Sequence, residues 1–143
     1  MVASDLEALR MDARPITHAA TAGLAYFAVV FVAGVALGVT RVLFIVPTFG
    51  ATVAVLIELP IILALSWIAC RRLIVVLEVS ATTHARLAMG GLSFALLMVA
   101  EFAIAAFVFG RSLADHLEHY QELHALLGFA AQTAFGLFPV IQR

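Results

Sequence analysis

The sequence predicts an all-α integral membrane protein, a four-helix bundle with both termini cytoplasmic. Three observations predict it. Hydrophobic residues make up 64% of the 143 residues and charged residues only 12%, whereas soluble domains sit near half apolar and a quarter charged. The apolar residues gather into four runs, each close to the ~20 residues that a bilayer crossing needs. The arginines, which are all eight of the basic residues, divide unevenly between the connections. Arg10, Arg14, Arg71, Arg72, Arg86 and Arg143 fall on one side, and Arg41 and Arg111 on the other. Six against two puts the arm, the middle connection and the C-terminus inside. Four spans with short connections use nearly the whole chain and leave no room for a soluble catalytic domain. A net charge of −1 offers no basic footprint for nucleic acid.

Residues 1–18 read as a short polar arm. Ser4 and Glu7 have capping-box spacing, and Pro15 is expected to end that helix. The acidic residues Asp5, Glu7 and Asp12, and the length of the run that follows, argue against a cleaved signal segment. Span one covers about 19–40 and carries Gly34-x-x-x-Gly38, a spacing that lets helices approach closely within the bundle or across a dimer. Beyond Arg41 the chain stays apolar to Val46. Either the span continues with Arg41 snorkelling, or this piece lies in the interface, and Pro47 and Gly50 end it. Span two covers about 51–70. Pro60 lies inside it and is expected to kink it, because proline cannot donate to the carbonyl four residues back. Trp67 suits an interface. Cys70, at the inner end, reads as a buried thiol or, alternatively, a juxtamembrane acylation site.

A polar connection follows Arg71-Arg72, with Thr83 as the expected cap of span three, about 87–109. Residues 112–124 form an amphipathic outer helix that runs into span four, about 125–141. There Gly128, Gln132 and Gly136 share one stripe. Gly128 and Gly136 are helix-packing candidates on the same grounds as Gly34 and Gly38.

The polar residues inside the membrane are the main functional clue. Glu58, Glu101 and Gln132 each lie about eight residues below the outer end of their spans, or about 12 Å deep at 1.5 Å per residue. Arg41 approaches that level from span one. An ionised, unpaired carboxylate at such depth costs at least ~2.5 kcal/mol. The four residues therefore form either a hydrogen-bonded staple that holds the bundle, or a proton- or cation-responsive site, or a pocket for a lipid or quinone headgroup. A second constellation is Asp115, His119 and Glu122, at i, i+4 and i+7 of the outer helix, a ligand set that suits zinc, copper or nickel. A solvated face explains it equally simply. No nucleophile–base pair and no phosphate-binding glycine loop stands out.

Gly38-x-x-Arg41-Val42-Leu43, Pro47, Glu58-Leu59-Pro60, Ser66-Trp67 and Arg86-Leu87-Ala88-Met89-Gly90 together resemble motifs of small four-span inner-membrane proteins of proteobacteria. The resemblance covers residues 26–107. It implies a multi-pass inner-membrane location and no particular reaction, since that group has no assigned activity. The expected function is a non-enzymatic accessory or scaffolding subunit that binds lipid, another membrane protein or a second copy of itself. The alternatives are a small homo-oligomeric transporter or channel using Glu58 and Glu101, and metal binding at the outer face.

Overall fold

The computed structural model describes residues 2–108, 110, 112, 114, 118 and 121–142, with residues 2–15 described by backbone alone. The described elements are all helical. They are α1 (Val2–Thr40), a π-helical turn (Arg41–Ile45), α2 (Val46–Phe49), α3 (Ala51–Val76), α4 (Thr83–Phe107) and α5 (Leu123–Ile141). Four helical stretches are long and apolar enough to cross a membrane: Ile16–Phe49, Ala51–Val76, Thr83–Phe107 and Leu123–Ile141. Their outward faces carry large apolar side chains, among them Val32, Phe44, Ile68, Val99 and Phe107. In water such faces would be unfavourable, and in lipid they are matched.

Helix α1 corrects the expected boundaries. It runs unbroken from Val2 through Pro15, so Pro15 does not end it. A proline removes one backbone donor, and in a long helix the neighbouring bonds carry the turn. At its other end the helix does not stop at Thr40. It widens into the π-helical turn, where the Val46 N–H donates to the Arg41 carbonyl five residues back. Pro47 supplies a reason for the widening. Its ring would clash with the carbonyl four residues earlier in a regular α-helix, and a wider turn removes that clash. The stop comes at Gly50. Its φ of +79° belongs to the left-handed region that glycine enters without steric cost, and its N–H closes on the Val46 carbonyl at 2.9 Å.

Helix α3 passes beyond Arg71-Arg72 to Val76, with Pro60 inside it. Helix α4 starts earlier than expected, and its cap is Thr82 rather than Thr83: the Ala85 N–H donates to Thr82 Oγ1 at 3.4 Å. Helix α5 includes Pro139, which is buried. The outer helix expected over 112–124 lies largely outside the described residues.

Helix α1 packs against α3 and α4, and α5 packs against the same two. The helices therefore stand in a four-membered ring, with α3 and α4 across a diagonal although a short connection joins them. The core is concentrated at that connection's end of the bundle. Ala19, Ala22 and Tyr26 of α1 meet Cys70 and Ile74 of α3, Ala85 and Met89 of α4, and Phe135 of α5. Cys70 is fully buried, which removes its thiol from the membrane surface and from acylation there.

Candidate functional site: a polar cavity between four helices

The Gly50 end of the bundle is built differently. There the four helices separate around a cavity of about 410 Å³, within the usual range for small-molecule sites. All four contribute to its wall: Gly34, Gly38 and Arg41 from α1 and the π turn, Glu58 and Ser66 from α3, Leu97 and Glu101 from α4, and Gly128, Gln132 and Phe135 from α5. Glu58, Glu101 and Gln132, expected at one depth, and Arg41, expected to approach them from above, thus line one space. The hairpin explains half of this. Arg41 lies nine residues before Gly50 and Glu58 eight after it, so folding back at Gly50 sets them level.

Within the cavity the polar groups form two pairs. Arg41 Nε stands 3.1 Å from Glu58 Oε2, with side-chain exposures of 31% and 15%, so the arginine is the outer member. The contact is one of charge rather than a directed hydrogen bond, and Glu58 Oε2 is buried without a hydrogen-bond donor among the described residues. Across the cavity, Gln132 Nε2 donates to Glu101 Oε1 at 2.5 Å and ties α5 to α4. The other end of the same amide, Gln132 Oε1, is buried and unpartnered among the described residues. The remaining wall is mainly apolar and includes Phe31, Phe129 and Phe135.

The glycines divide into two sets. Among the described residues, a Cβ on Gly34, Gly38 or Gly128 would meet nothing within 4 Å. The close helix contact expected of these three is not found among the described residues, and they line the cavity instead. Gly136 does pack, with an added Cβ 3.1 Å from the Phe94 Cβ. The tightest approaches lie at positions not singled out for packing. A Cβ on Gly90 would overlap the Gly136 carbonyl oxygen, and one on Gly23 would stand 2.8 Å from the Met89 carbonyl oxygen.

The closed end of the bundle was not legible as a unit. The Tyr26 ring stacks on Phe135 at a centroid distance of 4.3 Å, and its hydroxyl donates to the Phe135 carbonyl at 3.2 Å. This closes the diagonal between α1 and α5. Below it, Ser93 Oγ reaches the carbonyls of Gly23 and Met89 at 2.9 and 2.7 Å. Arg86, nearly buried at 4% exposure, donates from Nε to the Ser80 carbonyl at 3.0 Å and anchors the α3–α4 connection. Hydroxyls inside spans were the available signal. Their partners are backbone carbonyls, which carry no side-chain signature.

Asp115 and His119 of the expected metal set lie outside the described residues. Glu122 pairs with His124, Oε2 to Nε2 at 3.3 Å, and no group of three metal-ligating side chains is found among the described residues. No family model, no curated protein and no solved structure matches the chain.

Proposed function

We propose that this chain is a non-enzymatic accessory module of a bacterial inner membrane that holds a lipid-like or quinone-like amphiphile in its four-helix cavity. Both termini lie in the cytoplasm on the arginine count. The carrying observation is the cavity itself. A staple would bring Arg41, Glu58, Glu101 and Gln132 into one packed polar knot, whereas here two polar pairs line the walls of a 410 Å³ space. Polar groups at the wall and aromatic groups beside them suit a ligand with a polar head and an apolar body. The outer apolar faces would meet lipid, a partner membrane protein or a second copy.

Native mass spectrometry of the tagged protein, extracted from its own membrane in mild detergent, tests this reading. Wild type is expected to carry an amphiphile of defined mass, and Gly128→Leu, which places a side chain into the cavity, is expected to lose it. A wild-type spectrum showing bare protein only would overturn the proposal.

A second reading is favoured by one specific observation: two carboxyl groups face the same cavity. The chain would then be a small homo-oligomeric transporter, with Glu58 and Glu101 carrying protons or a cation. Proteoliposome flux that disappears in the Glu58→Gln, Glu101→Gln double variant, with folding intact, supports it. Undiminished flux eliminates it.

A further inference from the structure

We infer that the cavity's occupant carries a primary ammonium group on an apolar body. The inference rests on the reading of the cavity as a ligand site and specifies the ligand's chemistry.

The hydrogen-bond inventory points that way. Among the described residues, the buried side-chain atom of the cavity with neither a hydrogen bond nor an ion pair is Gln132 Oε1, an acceptor; Glu58 Oε2 has no directed hydrogen bond but stands in the ion pair with Arg41. Glu101 is already an acceptor toward Gln132. Gln132 Nε2 is engaged by Glu101, and Arg41 Nε stands beside Glu58. A ligand that meets Gln132 Oε1 must bring an N–H or O–H group. A buried acceptor left unmet is costly, so a donor of matching position binds at an advantage.

Formal charge narrows the class. The charged residues among the described cavity-lining residues are Arg41, Glu58 and Glu101, one cation against two anions. Arg41 stands beside Glu58, and Glu101 has an amide as its hydrogen-bond partner. In surroundings this apolar a cation is the natural complement to the surplus carboxylate. Phe31, Phe129 and Phe135 in the same wall offer ring faces that attract a cation and accept an apolar body. An anionic ligand would meet two carboxylates and the bare Gln132 oxygen, with one already paired arginine to hold it. A quaternary ammonium satisfies the charge and leaves Gln132 Oε1 unmet.

The test uses the full chain in phosphatidylcholine nanodiscs and three probes of similar body: 2-phenylethylammonium, its N-trimethyl analogue and 2-phenylethanol. Calorimetric titration is expected to rank them in that order, with the first at least tenfold tighter than the alcohol. Glu101→Gln and Gln132→Leu should each weaken the ammonium probe about tenfold, with thermal unfolding confirming that both variants fold. Should either variant fail to fold, Gly128→Leu replaces it, and the probe should lose its site there too. Equal binding of the alcohol, or undiminished binding in folded Glu101→Gln, overturns the ammonium inference and leaves the cavity reading standing. Absence of binding by all three probes, together with a bare native spectrum, overturns both. Aminolipid headgroups carry the same primary ammonium. In discs of phosphatidylethanolamine, a tenfold loss of probe affinity identifies the lipid as occupant and unchanged affinity identifies a free amine. Either result upholds the site.

Discussion

The two ends of this bundle use small residues in opposite ways. Near the α3–α4 connection, Gly23 and Gly90 bring backbones together: any Cβ there meets a carbonyl oxygen of the neighbouring helix. Near Gly50, Gly34, Gly38 and Gly128 hold space open, and a Cβ there meets nothing. One end is closed by stacked rings and backbone-directed hydroxyls, and the other is lined with charge. The lesson concerns what a glycine in a spanning helix means. The residue permits close approach, and it equally permits a cavity. Only the position of the facing helix decides between them.

Four experiments test that contrast. The largest effect is expected at Gly90. Gly90→Ala drives a methyl into the Gly136 carbonyl, a contact with backbone that cannot rotate away, and should cost about 3 kcal/mol; thermal unfolding in detergent reads it as a large fall in Tm. A wild-type Tm would mean that α4 and α5 do not touch there. At the open end, the Arg41–Glu58 pair should show a coupling of about 1 kcal/mol in a double-mutant cycle with Arg41→Gln and Glu58→Gln. Zero coupling would detach the pair from the cavity. Gly34→Ala carries the opposite sign from Gly90→Ala. Its methyl enters free space and its backbone gains helix propensity, so stability should rise by about 0.5–1 kcal/mol. A loss instead would place Gly34 against a second copy of the chain, the dimer contact its spacing allows. Tyr26→Phe should have the smallest effect, about 0.6 kcal/mol for one hydrogen bond within a membrane bundle, because the ring stack on Phe135 survives.

Much of this architecture can be read from the chain. Four apolar runs are visible in the sequence alone, and the shared depth of Glu58, Glu101 and Gln132, with Arg41 approaching it, follows from counting residues from the turns. The helix ends are harder to read. Pro15 and Pro47 look like stops, yet both lie inside a continuous helical run. At Pro47 the cost of exposing unpaired backbone to lipid outweighs the proline's local cost, so the helix absorbs it; Pro15 lies before the apolar stretch, where the neighbouring backbone bonds carry the helix past it. The division of the glycines is illegible for a different reason. Gly34 and Gly90 have the same local sequence character, and only the facing helix distinguishes them. The closed end built by Tyr26, Ser93 and Arg86 is hidden similarly, since each of these side chains finds a backbone oxygen.

The wide turn at Arg41–Ile45 has a consequence for how this chain tolerates insertions and deletions. A π-helical turn holds one residue more than the α-helix it interrupts. Removing a single residue between 42 and 45 would therefore return the turn to α-helical spacing and leave the azimuth of the upstream helix, and the aim of Arg41, close to what they are now. The cost would fall on Pro47, whose ring would again meet the carbonyl four residues earlier. The same deletion in the regular part of α1, before Thr40, has no wide turn to absorb it and would rotate everything upstream by about 100° relative to α3. The wide turn thus marks the place where this span can lose a residue and keep its faces.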